Sequence, residues 1–190
     1  MVKKLLATIA VLAALAALLS LSALALFTDT ASVPGNTFST GTVDISTSPA
    51  SALVTFSGMA PGDQVTNPIT VTNAGTLALR YAVTSTTTEN TLAAQLDLTI
   101  KSGVTTCTNG GFDTDGTVLY GAADLGSTTG GNVIGNPAQG ADTDDRTLNA
   151  SASEVLCFQA SLPLATGNGF QGLTSTATFA FQAEQTANNP

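Results

Sequence analysis

The sequence predicts an all-β protein: an antiparallel β-sandwich, jelly-roll-like, with an N-terminal signal helix and a free N-terminal strand. Three observations predict it. Short segments alternate apolar and polar residues with the period of two that half-buried strands require. Clusters such as Pro61-Gly62-Asp63, Asn73-Ala74-Gly75, Asn109-Gly110-Gly111 and Gly167-Asn168-Gly169 punctuate them with turn-forming residues. Beyond the first 27 residues, helical spacing is confined to Glu89–Gln95, enough for a turn or two.

The chain opens on the basic Met1-Val2-Lys3-Lys4, followed by an uncharged run from Leu5 to Phe27. Ala23-Leu24-Ala25 supplies the small-x-small pattern that a signal peptidase reads. Residues 1–25 are therefore expected to be a signal peptide, with Ala23 and Ala25 at the cleavage site. An uncleaved membrane anchor is the alternative, because about 20 apolar residues span a bilayer. The polar start that a cut would leave, Leu26-Phe27-Thr28-Asp29, favours cleavage. The expected organisation is a signal over 1–25, an arm and hinge over 26–41, and a jelly-roll domain over 42–190.

The strands follow in order. Ile69–Thr72 and Leu79–Thr84 alternate. Leu96–Lys101 does so most cleanly, with Leu96, Leu98 and Ile100 on one face and Asp97, Thr99 and Lys101 on the other. Leu156, Phe158, Ala160 and Leu162 form another inward stripe, and Phe179, Phe181 and Ala183 the last. Thr42–Ser46, Ala52–Ser57 and Thr117–Tyr120 are shorter candidates. Residues 103–150 are expected to be a long loop-rich insertion. Its 121–145 part, rich in Gly, Asn, Thr and Asp, reads as exposed.

Composition excludes several functions. Loss of residues 1–25 removes Lys3 and Lys4, leaving Arg80, Lys101 and Arg146 against 13 acids, a formal charge of −10. A nucleic-acid-binding surface needs the opposite sign. There is no histidine, so Ser-His-Asp and Cys-His systems, imidazole zinc sites and the HExxH motif are absent. No phosphate-binding glycine loop opens a helix. The chain is not expected to be an enzyme, nor to require a cofactor.

Two cysteines in an exported chain suggest a Cys107–Cys157 disulfide, the alternative being two buried thiols. Asp113-Thr114-Asp115-Gly116 resembles the start of a calcium loop, because alternate carboxylates before a Gly turn can converge on a hard cation. Asp113 and Asp115 are the candidate ligands, and Ca2+ the candidate ion. The distal Glu of a full loop is missing, and Asp and Gly equally make plain turns. Asn149-Ala150-Ser151 matches a glycosylation sequon.

Two segments carry a family pattern. Residues 26–46 begin aromatic-x-Asp (Phe27, Asp29) and continue as Asn36-x-Phe38-x-x-Gly41-Thr42-x-Asp44-Ile45. Residues 59–77 contain Pro61-Gly62-Asp63 and then Ile69-x-Val71-x-Asn73-x-Gly75. Both resemble the TasA/camelysin family, and Ser153–Phe158 resembles a late strand of its secreted relatives. The resemblance implies a jelly roll, export through a dedicated signal peptidase, and assembly into extracellular fibres of the biofilm matrix. In such fibres each subunit's N-terminal strand inserts into the next subunit's sheet. The metalloprotease activity described for the camelysin branch is at odds with the missing histidines.

The arm suits that role physically. In an extended strand Phe27, Asp29, Ala31 and Val33 share one side, and eight residues, Leu26 to Val33, reach roughly 26 Å at about 3.3 Å each. Pro34-Gly35 then breaks the strand. Phe27, Ala31 and Val33 are the expected donor-strand contacts, and other copies of the chain the expected partners, joined by other matrix proteins in the fibre. Insertion into the chain's own sheet is the alternative. A monomeric surface or secreted binding module, calcium-stabilised through Asp113 and Asp115, is the rival function.

Overall fold

The computed structural model describes residues 1–21, 29–51, 53–55 and 57–189. It divides into two units, Met1–Ser39 and Thr40–Pro190.

The first unit begins with helix α1, Val2–Leu21. Leu, Ala, Val and Ile without a polar stripe make it apolar all round, as a signal helix is. Among the described residues no helix is long and apolar enough to cross a membrane. Ala23, Ala25 and Phe27 lie outside the described residues. Residues 29–39 carry no regular structure and are exposed, Val33 and Phe38 strongly so. With no strand before it among the described residues, Pro34-Gly35 forms a local turn. Gly35 takes a left-handed φ of 85°, and the Asn36 side chain donates to the Val33 carbonyl at 2.6 Å.

The second unit is an antiparallel β-sandwich, as the alternation predicted. The five-stranded sheet runs β1 (Ile45–Ser48), β2 (Gln64–Asn73), β8 (Ser153–Ser161), β4 (Asp97–Ser102), β5 (Thr117–Asp124). The second sheet is built around β3 (Leu79–Thr87). One edge of β3 pairs along its full length with β9 (Ala177–Gln185). Its other edge pairs end to end with β7 (Arg146–Leu148) and β6 (Gly131–Ile134).

The predicted stripes form the core. Leu98, Ile100, Leu156 and Phe158 from the first sheet meet Leu79, Tyr81 and Val83 from the second, all buried. Pro68 lies inside β2, but β1 covers only Thr70–Asn73, so one edge is open beside the missing amide. Gly75 is required where the chain enters β1, because a Cβ there would strike the Thr42 carbonyl oxygen. The candidate strand Ala52–Ser57 differs: its described residues are not strand.

Residues 103–150, expected to be loop-rich, also hold β5, β6 and β7, and bury Phe112, Leu125, Val133, Ile134 and Leu148. The candidate strand Thr117–Tyr120 is the first half of β5, whereas β6 and β7 escaped notice because they are only four and three residues long and start on Gly-Asn and on Arg. Glu89–Gln95 makes one helical turn, with the Glu89 carboxylate accepting from the amides of Leu92 and Ala93 at 2.8 and 3.0 Å.

Candidate functional site

β1 and β5 end the first sheet, and β9 and the short pair β6 and β7 end the second. β5 is irregular: its pairing with β4 shifts register twice, and Ala122 adopts a positive φ of 38°. Bulges of this kind blunt an edge against further pairing. β1 is four residues long and runs into Pro49. β9 is different. Its nine residues pair without interruption to β3, and its other edge pairs with no strand among the described residues. A row of unpaired N–H and C=O groups is thus available along β9 as far as Glu184, the Gln185 carbonyl accepting from the Asn189 side chain at 3.3 Å.

The inward side chains of β9 show the same incompleteness. Ala177, Phe179, Phe181 and Ala183 point at the core yet are only half-buried, while the β3 residues opposite Phe179 and Phe181, Ser85 and Val83, are fully buried. Phe179 meets Phe158 edge-on at 5.1 Å, and Phe181 meets Tyr81 at 6.1 Å. Beside them the sandwich opens into a groove of about 620 Å3. Ile69, Leu96 and Ala160 lie at its floor, and Leu53, Val54 and Met59 on the wall that joins β1 to β2. Its lining is mainly apolar and uncharged, as suits a peptide side-chain row rather than an ion.

The other candidate residues have structural occupations. Cys107 and Cys157 are bonded, with Cα atoms 5.6 Å apart. The bond pins a flap, residues 103–116, to the outer face of the first sheet, and Phe112 is buried beneath it. Lys101 is buried there too. Its ammonium donates to the Phe112 carbonyl at 2.8 Å and lies 4.6 Å from the Phe112 ring centre. Asp113 is exposed, its carboxylate 4.0 Å from that ammonium. The Asp115 carboxylate accepts from the Thr105 amide at 3.1 and 3.2 Å, and hydrogen bonds from Thr105 hold its carboxyl below the usual range. Asp113 and Asp115 thus flank a protein cation and a turn. Asp145 similarly caps its own loop through the amides of Asn136 and Asp142.

The two sheets are tied by a polar cluster that the sequence did not signal, because its members lie on three strands. Tyr81 on β3 donates to Glu154 on β8 at 2.8 Å, and Arg146 on β7 pairs with both Glu154 oxygens. Burial and the Glu154 charge push the Tyr81 phenol far above its ordinary value.

The family described as camelysin metallo-endopeptidase matches residues 1–189. No curated protein sequence matches the chain. Among solved structures, the ASH/PapD-like domain 7 of human CEP192 is similar at 14% identity and a TM-score of 0.30, over 87% of this chain and 99% of that one. The residues present do not fit the metal that the family's description implies. A catalytic zinc takes three nitrogen, sulfur or carboxylate ligands. This sequence has no histidine and both cysteines are bonded. Among the described residues no three such side chains converge. With its family match running essentially end to end and its two motif segments in place, the chain belongs to the camelysin family.

Proposed function

We propose that this chain is an exported structural subunit that polymerises into extracellular matrix fibres by donor-strand exchange. One observation carries the reading: β9 presents an uninterrupted free edge whose inward phenylalanines, Phe179 and Phe181, are half-buried above an apolar groove. An added strand would satisfy the edge and cover the rings.

The proposed occupant is the arm of a second copy. Leu26–Val33 is eight residues against the nine of β9, and its Phe27, Ala31 and Val33 would point into the groove, with the Asp29 carboxylate on the same side of the strand. Residues 29–33 form no strand, which leaves their backbone free to pair. Because arm and groove are different surfaces, the contact repeats head to tail and does not close, which yields a filament. Cleavage after Ala25 would release the arm from the membrane and so permit assembly only after export. The metalloprotease role named for the family has no supporting ligand set here, and no hydrolytic step is assigned.

Phe179→Asp in the full exported chain tests the acceptor. A charge at a groove-facing position should abolish filaments in electron micrographs while leaving the far-ultraviolet circular dichroism of the monomer unchanged. Normal filaments from this variant would remove β9 as the acceptor edge.

A further inference from the structure

The groove beside β9 has a volume of about 620 Å3, and its sides are held with unequal firmness. The floor is the buried core of both sheets, fixed by ladder pairing along β2, β8 and β4. One wall is β9, held to β3 over nine paired residues. The opposite wall, between β1 and β2, is held differently.

Its described residues, 49–51, 53–55 and 57–59, take part in no backbone or side-chain hydrogen bond. What holds them is apolar contact: Leu53, Val54 and Met59 are half-buried and pack on the core cluster. On either side the chain is anchored, by β1 pairing to β2 and by the turn in which Asp63 caps the Ala60 amide at 2.7 Å. A stretch fastened at both ends, whose described residues are seated by three apolar side chains and by no hydrogen bonds, moves at low cost.

We propose that Leu53, Val54 and Met59 form a self-plug: in the isolated subunit they fill part of the acceptor groove in place of the missing strand, and an incoming arm displaces them. This rests on the fibre reading above. The plug shields core residues such as Ile69 and Leu96 from water while the subunit is alone. It contributes no ladder hydrogen bonds, so an arm that brings both apolar side chains and a paired backbone outcompetes it. Until then the plug lowers the fraction of subunits competent to accept an arm, and so weakens apparent affinity by that fraction. It acts as a brake on premature assembly that is independent of signal cleavage.

Met59 supplies the readout, because it is the one methionine beyond Met1. Its oxidation by dilute peroxide, followed by mass spectrometry, is measured on the processed full chain as monomer and as filament. Displacement predicts severalfold faster oxidation of Met59 in the filament, although assembly buries surface overall. Equal or slower oxidation in well-formed filaments would overturn the plug and leave the fibre reading intact. If no filaments form under any condition, the fibre reading fails and the plug falls with it. A second arm uses Leu53→Ser with Val54→Ser, checked for an unchanged circular dichroism spectrum. Removing the brake should tighten subunit association by roughly tenfold and shorten the lag before filaments appear. A lag unchanged or lengthened in the folded double variant would also overturn it.

Discussion

Tyr81, Glu154 and Arg146 show how single residues fasten the two sheets. The phenol is buried and neutral, and it donates to the Glu154 carboxylate with the Arg146 guanidinium beside it. Its folded pKa lies above the unfolded value of about 10. The stability it confers is therefore complete below pH 10 and is lost as pH rises from there toward the folded value. Unfolding in urea between pH 9 and 11 should show stability falling by up to about 1.4 kcal/mol per pH unit from this group. Tyr81→Phe should reduce that slope by one proton; an unchanged slope would mean that Tyr81 is ionised in the folded state. Glu154→Gln strands a partly buried guanidinium and should cost about 2–3 kcal/mol in the same assay at pH 7. Neither partner was legible in the sequence as part of a pair, because 73 positions separate Tyr81 from Glu154. Lys101 was misleading for a related reason. Alternation correctly put it on the outward face of β4, but the flap folded over that face and buried it. Period two reports which side a residue faces and not what covers that side.

Among elements, the flap and β9 make opposite points. The flap, residues 103–116, rests on a sheet face through Phe112, Lys101 and the Cys107–Cys157 bond. The bond spans 50 positions, and loss of the link by Cys107→Ser with Cys157→Ser should cost about 4 kcal/mol in chemical denaturation by the chain-entropy model. Hydrogen exchange should then speed up first in the flap, and β3 and β9 should keep their protection. Simultaneous deprotection of all three would show that the flap is not a separable element. The pairing itself was readable from two cysteines in a chain expected to be exported. The inward stripe of β9 was equally readable, but its half-burial was not: whether Phe179 and Phe181 are covered depends on a strand that the local sequence does not contain. β6 and β7 were missed because three or four residues give no period to count.

At the scale of the whole molecule, charge is distributed one way. Beyond residue 25 the chain has three cations. Arg80 is buried beside Glu184, Lys101 is buried beneath the flap, and Arg146 is bound to Glu154. The folded domain thus presents carboxylates to solvent and no free cationic side chain. The new N-terminus is expected to be the sole reactive amine of the processed monomer. An amine-directed reagent should add one label, at residue 26, and trypsin should leave the folded chain intact until it opens. Rapid labelling of Lys101 in the folded, oxidised protein would show that the flap does not hold. Such a surface disfavours side-by-side contact at low salt, while the groove at β9 is uncharged and the arm carries one carboxylate, Asp29.

Negative-stain electron microscopy of the processed chain, set beside the same chain lacking residues 26–33, bears most directly on strand exchange. Filaments from the first and monomers alone from the second, with equal circular dichroism spectra, are the expected result. Unchanged filaments from the truncated chain, or monomers from both at high concentration, would contradict it.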